Sequence, residues 1–420
     1  MTKIINVCRI CKNTNLLPVF SLGNQAYSGI FVNNEDIPAG ELNLLRCTGE
    51  NACNLVQLDR DFDQSLMYGN GYGYRSGLNK MMVNHLKNIA NITKPFTDNM
   101  NCEKLVVLDI GSNDGTLLGH FRNMYGDESE RYGIDPSSNM FSEYYDADVK
   151  TSDNFFSKST FREMSSNKKA NIITSIAMFY DLPDPLQIVM DISDVLADDG
   201  IWIVEQSYLP LMIATNSFDT ICHEHTEYYT LRQFDWMCKI AGLKIVEVTM
   251  NNSNGGSFRL VIKKNISKLS YDTTNVQQFR DIEAFSGVNS TGAFDKFAKN
   301  IQLQKNKLLE FIEDCKINGK SICGLGASTK GNTLLQFYNL TSAEITIIGE
   351  VNPQKFGTQT PGTNINIVDE KDILDEYDYF VVLPWHFKDD FCKNSNYAGK
   401  KLVFPLPNFD VIEIDSSLND

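Results

Sequence analysis

Two hydrophobic periods alternate along this chain. Between residues 105 and 265, short apolar runs of strand length recur near 105–110, 131–135, 171–176, 200–206, 243–249 and 257–263. Segments with helical spacing separate most of them, such as Thr116 to Met124. That alternation predicts an α/β fold with a doubly wound sheet, whose ligands lie beyond the carboxyl ends of its strands. Residues 78–89 also carry helical spacing. Residues 275–318 are polar and amphipathic, with few breakers beyond Gly287 and Gly292, and read as a helical connector. A second strand–turn–helix unit opens at Ser321, and Ile345–Gly349 and Tyr379–Leu383 read as further strands. The expected division is a lobe over 1–77, a ligand-binding α/β domain over 78–268, and a second Rossmann-like domain over 269–420.

The strongest strand signal is Leu105 to Ile110, apolar except for Asp109. Gly111-Ser112-Asn113-Asp114-Gly115 then turns the chain into a helix. A glycine turn between a buried strand and a helix brings backbone N–H groups to a ligand. Tyr132 to Pro136 reads as a second strand ending in Asp135, an acid able to accept hydrogen bonds from both hydroxyls of a ribose. The turn is not the G-x-G-x-x-G of dinucleotide binders, which favours S-adenosylmethionine over NAD. The plain alternative is an α/β domain whose glycines serve only the turn.

Composition narrows the setting. The chain has 420 residues, 42% hydrophobic and 22% charged, as in soluble globular proteins, and enough length for two or three domains. No apolar run approaches a membrane span and the N-terminus is no signal peptide, so a cytoplasmic protein is expected. A formal charge of −15 argues against a nucleic-acid binder. Ten cysteines in such a setting point to metal or reduced thiols rather than disulfides. Cys8-x-x-Cys11, followed by Cys47 and Cys53, suits a tetrahedral structural zinc site. The second pair is spaced wider than C-x-x-C, and four scattered reduced cysteines are the alternative. No His or carboxylate beside them suggests an open catalytic position.

Four further stretches carry chemistry. Met67 to Gly77, rich in Gly and Tyr, suits a lid or ligand-contacting loop, or else a linker with surface aromatics. Between Phe218 and Tyr229, His223 and His225 flank Glu224, ahead of Tyr228 and Tyr229, in a chain with five histidines. The run offers a base, an orienting carboxylate and phenolic donors. A His-x-His pair could also ligate metal, since alternate strand residues share a face, although no further ligand cluster accompanies it. A solvated polar loop is the bland reading. Asn254-Gly255-Gly256-Ser257-Phe258-Arg259 gives a glycine turn able to approach a ligand closely. Ser321 to Asn332 contains a G-x-G turn with hydroxyls and Lys330, suited to a phosphate or pyrophosphate.

Taken together, these motifs resemble the S-adenosylmethionine-dependent sugar C-methyltransferases that act on nucleotide-linked keto-deoxysugars, such as the C-3′-methyltransferases of antibiotic sugar pathways. The resemblance covers nearly the whole chain in the same domain order. It implies a zinc-binding lobe, a class I Rossmann-like methyltransferase domain and a C-terminal Rossmann-like domain that meets the nucleotide sugar. By position, Cys8, Cys11, Cys47 and Cys53 hold zinc. Tyr74, Ser76, Asp109, Gly111, Asn113, Asp135 and the segment Asp153-Asn154-Phe155 bind S-adenosylmethionine. His225 is the implied base, Glu224 orients its ring, and Tyr180 or Tyr228 donates to the enolate oxygen. Cys222, Asn254, Gly255, Ser257, Arg259, Ser328, Lys330 and Asn332 face the nucleotide-linked ketosugar.

Three positions depart from the antibiotic-type members, which often carry Tyr in place of Cys222, a His near Tyr180–Asp181, and His in place of Asn254. All three lie on the substrate-facing side. O- or N-methylation of a sugar or small metabolite, and a non-catalytic zinc-stapled ligand-binding protein, are the alternatives. A monomer is expected, with a homodimer open.

Overall fold

The computed structural model describes residues 3–32, 37–63, 67, 74–98, 100, 102–268 and 271–419. In the N-terminal lobe, β1 (Lys3–Ile4) pairs with β5 (Arg60–Asp61), while β2 (Leu16–Ala26), β3 (Ala39–Cys47) and β4 (Val56–Leu58) form an antiparallel sheet.

The middle domain begins with α1 (Lys80–Ile92) and is built around β6 (Leu105–Ile110). All six β6 residues are buried, as a strand covered by helices on both faces requires. Four parallel partners extend the sheet: β7 (Ser129–Ile134), β8 (Lys150–Ser152), β9 (Ala170–Ile176) and β10 (Leu196–Ser207). The doubly wound expectation is corrected at one edge. There β12 (Leu243–Asn251) and β13 (Ser257–Lys264) form an antiparallel hairpin, and β13 runs antiparallel to β10 with Ile201 opposite Lys263. The full order is β12-β13-β10-β9-β6-β7-β8. Helices α2 (Thr116–Tyr125), α3 (Lys158–Ser165), α4 (Pro185–Val195) and α5 (Leu231–Ala241) complete the domain. Its short strand β11 (Glu227–Tyr228) leaves this sheet and joins the lobe's, Glu227 opposite Gln57 and Tyr228 opposite Val56.

The connector is two helices, α6 (Thr274–Ser286) and α7 (Thr291–Ile317), separated at Gly287, which takes φ +67. Helix α6 is bound to the middle domain: Tyr208 donates to Glu283 at 2.7 Å, and Arg280 pairs with Asp235. The last sheet holds β14 (Ile322–Leu325), β15 (Ile348–Glu350), β16 (Ile367–Asp369), β17 (Tyr379–Val382), β18 (Lys401–Phe404) and β19 (Asp410–Glu413). Its order is β16-β15-β14-β17-β18-β19, parallel except for β19. Helix α8 (Thr329–Tyr338) follows β14.

The lobe has no core of its own. Cys8, Ile10 and Leu55 are continuous with the middle-domain core, whereas Leu42, Leu44 and Leu58 join that of the C-terminal domain. Among the described residues, no helix is long and apolar enough to cross a membrane.

Candidate active site

Strand β6 ends in the glycine turn. Gly111 and Gly115 both take φ +76, and a Cβ on Gly111 would lie 2.8 Å from Met178 Cγ, so conformation and space both favour glycine there. The N–H of Asn113 donates to Asp135 Oδ2 at 2.9 Å, and the N–H and hydroxyl of Ser137 donate to Oδ1 at 2.7 and 2.6 Å. Three hydrogen bonds from the chain itself therefore hold the Asp135 carboxylate in place.

The Asn113 side chain faces its own chain, accepting from Ser76 N–H at 2.9 Å and donating to the Tyr74 carbonyl at 3.1 Å. Asp114, which the sequence did not single out, accepts from Gly77 N–H at 2.8 Å. Together they fasten the segment 74–77 over the turn. Residues 68–73 of the glycine- and tyrosine-rich stretch lie outside the described residues. Asp109 accepts from the Thr174 hydroxyl at 2.6 Å, and burial pushes its carboxyl up to about 7.

Tyr74, Ser76, Asp109, Gly111, Asn113, Asp135 and Phe155 line one cavity of about 600 Å³. Met82, Leu86 and Met178 add apolar wall that the sequence reading missed, although Met82 and Leu86 keep the four-residue spacing of one helix face. Asp153 and Asn154 are not in the wall: Asp153 accepts from the Asn139 amide, and Asn154 N–H donates to the Ser152 hydroxyl at 3.4 Å.

The same cavity continues to Tyr180, Asp181, Cys222, Glu224, His225, Thr329 and Lys330. His225 Nδ1 lies 2.8 Å from the Thr220 carbonyl oxygen. A carbonyl only accepts, so Nδ1 carries the proton and Nε2 the lone pair. The Tyr180 ring packs against the imidazole at 4.2 Å between centroids. Burial holds His225 down to about 4, and the Lys330 charge acts in the same direction.

Glu224 does not orient that ring, which corrects the expectation. Its carboxyl is joined to the Cys222 thiol by a hydrogen bond, and burial pushes it above the usual carboxylate range. On its other side a Cβ on Gly29 would lie 2.7 Å from Glu224 Oε1. His223 turns away into the lobe, donating from Nε2 to the Gln25 carbonyl at 3.1 Å with its ring against Tyr27 and Phe62. The two histidines therefore share no metal.

Tyr228 is also corrected. Its hydroxyl donates to the His225 carbonyl at 3.0 Å, and the side chain does not line the cavity. The expected substrate residues divide as well. Cys222 and Lys330 are in the cavity wall, and Gly255 packs beside Lys330, where an added Cβ would stand 3.8 Å from Nζ. Ser257 donates to the Ser253 carbonyl at 2.9 Å, and Arg259 is buried with its Nε 3.5 Å from Glu205 Oε2. Ser328 caps α8 by accepting from Gly331 N–H, and Asn332 donates to the Ser28 carbonyl at 2.7 Å. These four support the wall rather than form it. The side chain of Asn254 lies outside the described residues.

The four lobe cysteines converge. Their sulfurs lie within 4.8 Å of one another, with Cys8–Cys53 and Cys11–Cys47 Sγ distances of 3.4 Å, too long for a disulfide. Four buried or half-buried sulfurs at this spacing surround a point from which Zn–S bonds of about 2.3 Å are reachable, so the donor set fits zinc. Among the described residues no other cluster of three or more possible ligands occurs.

A Rossmann-like sheet carrying this turn and a four-cysteine cluster fit a zinc-binding, S-adenosylmethionine-dependent methyltransferase. Three family models match in sequence order: a zinc binding domain at residues 8–68, a methyltransferase domain at 84–248 and a C-methyltransferase C-terminal domain at 252–407. Together the three matches span most of the chain, in the order that the resemblance implies. It is similar to C-methyltransferase NovU of Streptomyces niveus, with 26% identity over 99% of this chain and 98% of that one. A structure of LepI in complex with SAM matches with a TM-score of 0.34 and 12% identity, over 45% of this chain and 54% of that one. One of the plantazolicin methyltransferase BpumL with SAH matches with a TM-score of 0.35 and 11% identity, over 43% of this chain and 85% of that one.

Proposed function

We propose that the protein methylates the carbon beside the ketone of a nucleotide-linked 4-keto-deoxysugar, at C-3′. The observation that carries this reading is the single cavity that joins the Gly111–Asp135 end to His225. S-adenosylmethionine supplies an electrophilic methyl group when bound. Gly111, Asp135 and the fastened 74–77 segment hold that end of the cavity.

A ketone acidifies its neighbouring C–H, and a general base is still needed to take the proton. His225 is that base. The Thr220 carbonyl fixes its tautomer with Nε2 bearing the lone pair, and burial keeps the ring neutral across the ordinary pH range. The Tyr180 ring packs against it. Enclosing both reactants in one cleft contributes to the rate by positioning them.

The test is incubation with the methyl donor and a panel of dTDP-, UDP- and GDP-linked 4-ketosugars, read by mass spectrometry and by deuterium exchange beside the ketone. The expected result is a one-methyl mass gain on a carbon whose hydrogen also exchanges. An O-methyltransferase has no reason to catalyse that exchange. No methylated ketosugar from any of them, with donor binding demonstrated, overturns the substrate class.

A further inference from the structure

Removing a proton beside a ketone places negative charge on the carbonyl oxygen, and that charge needs a preorganised partner. Of the two phenols expected there, the Tyr228 hydroxyl is committed to the His225 carbonyl, and Tyr180, its ring against His225, brings no positive charge to balance the oxygen's. We infer that Lys330, in the first turn of α8, is the catalytic residue whose ammonium faces the enolate oxygen. This rests on the ketosugar reading above.

Lys330 lines the same end of the cavity as Cys222 and His225, and His225 feels its charge. Six acids line the cavity, and among the described residues Lys330 is the one Lys or Arg that does so. The Gly255 turn packs against its amine, where a Cβ would stand 3.8 Å from Nζ. Asp219 is the countercharge: it is fully buried, is fixed by a 2.7 Å hydrogen bond from Trp385 Nε1, and favours the ammonium form against burial.

A diphosphate is the rival occupant. It would bring at least two negative charges to one ammonium already shared with Asp219, in a wall that also carries six carboxyl groups, and buried charge must be matched to be tolerated. The Ser328 hydroxyl and the Asn332 amide, which could complete a phosphate cradle, are turned to Gly331 and Ser28. An enolate oxygen develops a single charge, in the transition state, and one ammonium balances it. In the step itself the C–H electron pair becomes the new C–C π bond. The carbonyl π pair moves onto the oxygen facing Lys330, and the proton goes to His225 Nε2.

The test uses Lys330→Met, Lys330→Ala and the double variant Lys330→Met with Asp219→Asn, in which no buried carboxylate is left alone. Each is measured for S-adenosylhomocysteine affinity, for deuterium exchange beside the ketone with that product bound, and for kcat and KM with the methyl donor. Exchange and kcat are expected to fall together by about 10²–10³. Product affinity and KM should stay within about threefold, and methylammonium should restore part of the exchange in Lys330→Ala. A rise in KM with kcat retained makes Lys330 a phosphate anchor and overturns the inference, as does unchanged exchange. Loss of product affinity in all three variants makes the residue structural and overturns it too. If the unsubstituted protein shows neither exchange nor methylation, the ketosugar reading has failed instead.

Discussion

Replacing Arg9 by Met tests whether the zinc lobe holds the segment that carries His225. Arg9 lies between Cys8 and Cys11, and its side chain is 2% exposed. Its Nε stands 3.4 Å from Oε1 of Glu227, a fully buried carboxylate two residues beyond His225, and the guanidinium also pairs with Asp61. Its backbone N–H donates to Gln57 Oε1 at 2.9 Å, and Gln57 faces Glu227 across β4 and β11. Burial pushes the Glu227 carboxyl well up, and the Arg9 charge opposes that shift. An exposed ion pair contributes about 0–1 kcal/mol, whereas removing one partner of a buried pair costs about 3–5 kcal/mol. At about 1.4 kcal/mol per tenfold, attachment of the lobe weakens by about 10²–10⁴. The assay is urea titration followed by zinc release to a coloured chelator and by S-adenosylhomocysteine binding. Both transitions should move together to lower urea, and adding Glu227→Gln should recover at least about half of the loss. Because the folded-state pKa of Glu227 is raised, its stabilising protonation is complete at low pH and is lost as pH rises through that value. The Arg9→Met deficit should therefore be larger at about pH 8 than at about pH 5. A loss under about 1 kcal/mol, or a double variant no more stable than the single, refutes the reasoning.

Four other outcomes are expected. The base must be unprotonated and burial holds His225 to about 4, so the acid limb of kcat/KM should fall near that value rather than near the free imidazole's 6.5 or so; a limb at the free value contradicts the burial. His225→Asn should lower single-turnover rates by about 10²–10⁴ with product affinity unchanged, and near-native turnover removes it as the base. About one zinc per chain should be found by atomic emission and be released on thiol modification, and a metal-free chain with an unchanged melting curve rules the site out. Gly29→Ala places a Cβ 2.7 Å from Glu224 Oε1 and should lower kcat by about 10–10² without weakening S-adenosylhomocysteine binding; unchanged kcat shows that the Glu224 position is immaterial.

What the sequence made legible follows from burial. Strand β6 has both faces covered, so its apolar run was unmistakable, and the glycine turn after it was readable from the residue types alone. The direction of β12 and β13 is not encoded in periodicity. Only the short connection, residues 252–256, could have shown it, because a parallel crossover needs about a dozen residues. Strand β8 is Lys150-Thr151-Ser152, without an apolar position to mark it. Glu224 and His225 were expected to touch because they are adjacent. Both line the cavity, but the chain bends at Glu224, so its carboxyl meets Gly29 and Cys222 while the His225 ring meets Thr220 and Tyr180. Ser328 and Asn332 carried the right chemistry for a ligand, but helix capping and the Ser28 carbonyl had a prior claim that only three-dimensional packing reveals.

The lobe is what brings the three parts to one cavity. The catalytic segment finds several of its partners outside its own sheet: Leu58 N–H donates to the Thr226 carbonyl, His223 reaches Gln25, and β11 pairs with β4. The same stretch of the lobe is held from the other side by α8. Gln336 exchanges two hydrogen bonds with the backbone of Ala26, and Asn332 holds Ser28. Gly29, directly after that clasp, is the residue against which Glu224 rests. A chain path therefore runs from the cysteine cluster through Arg9 and Glu227 to His225, and another from α8 through Ser28 to Glu224. Neither the middle domain nor the C-terminal domain could close the reaction end alone. The cysteines that staple a lobe lacking its own core thereby also set the position of groups that line the cavity.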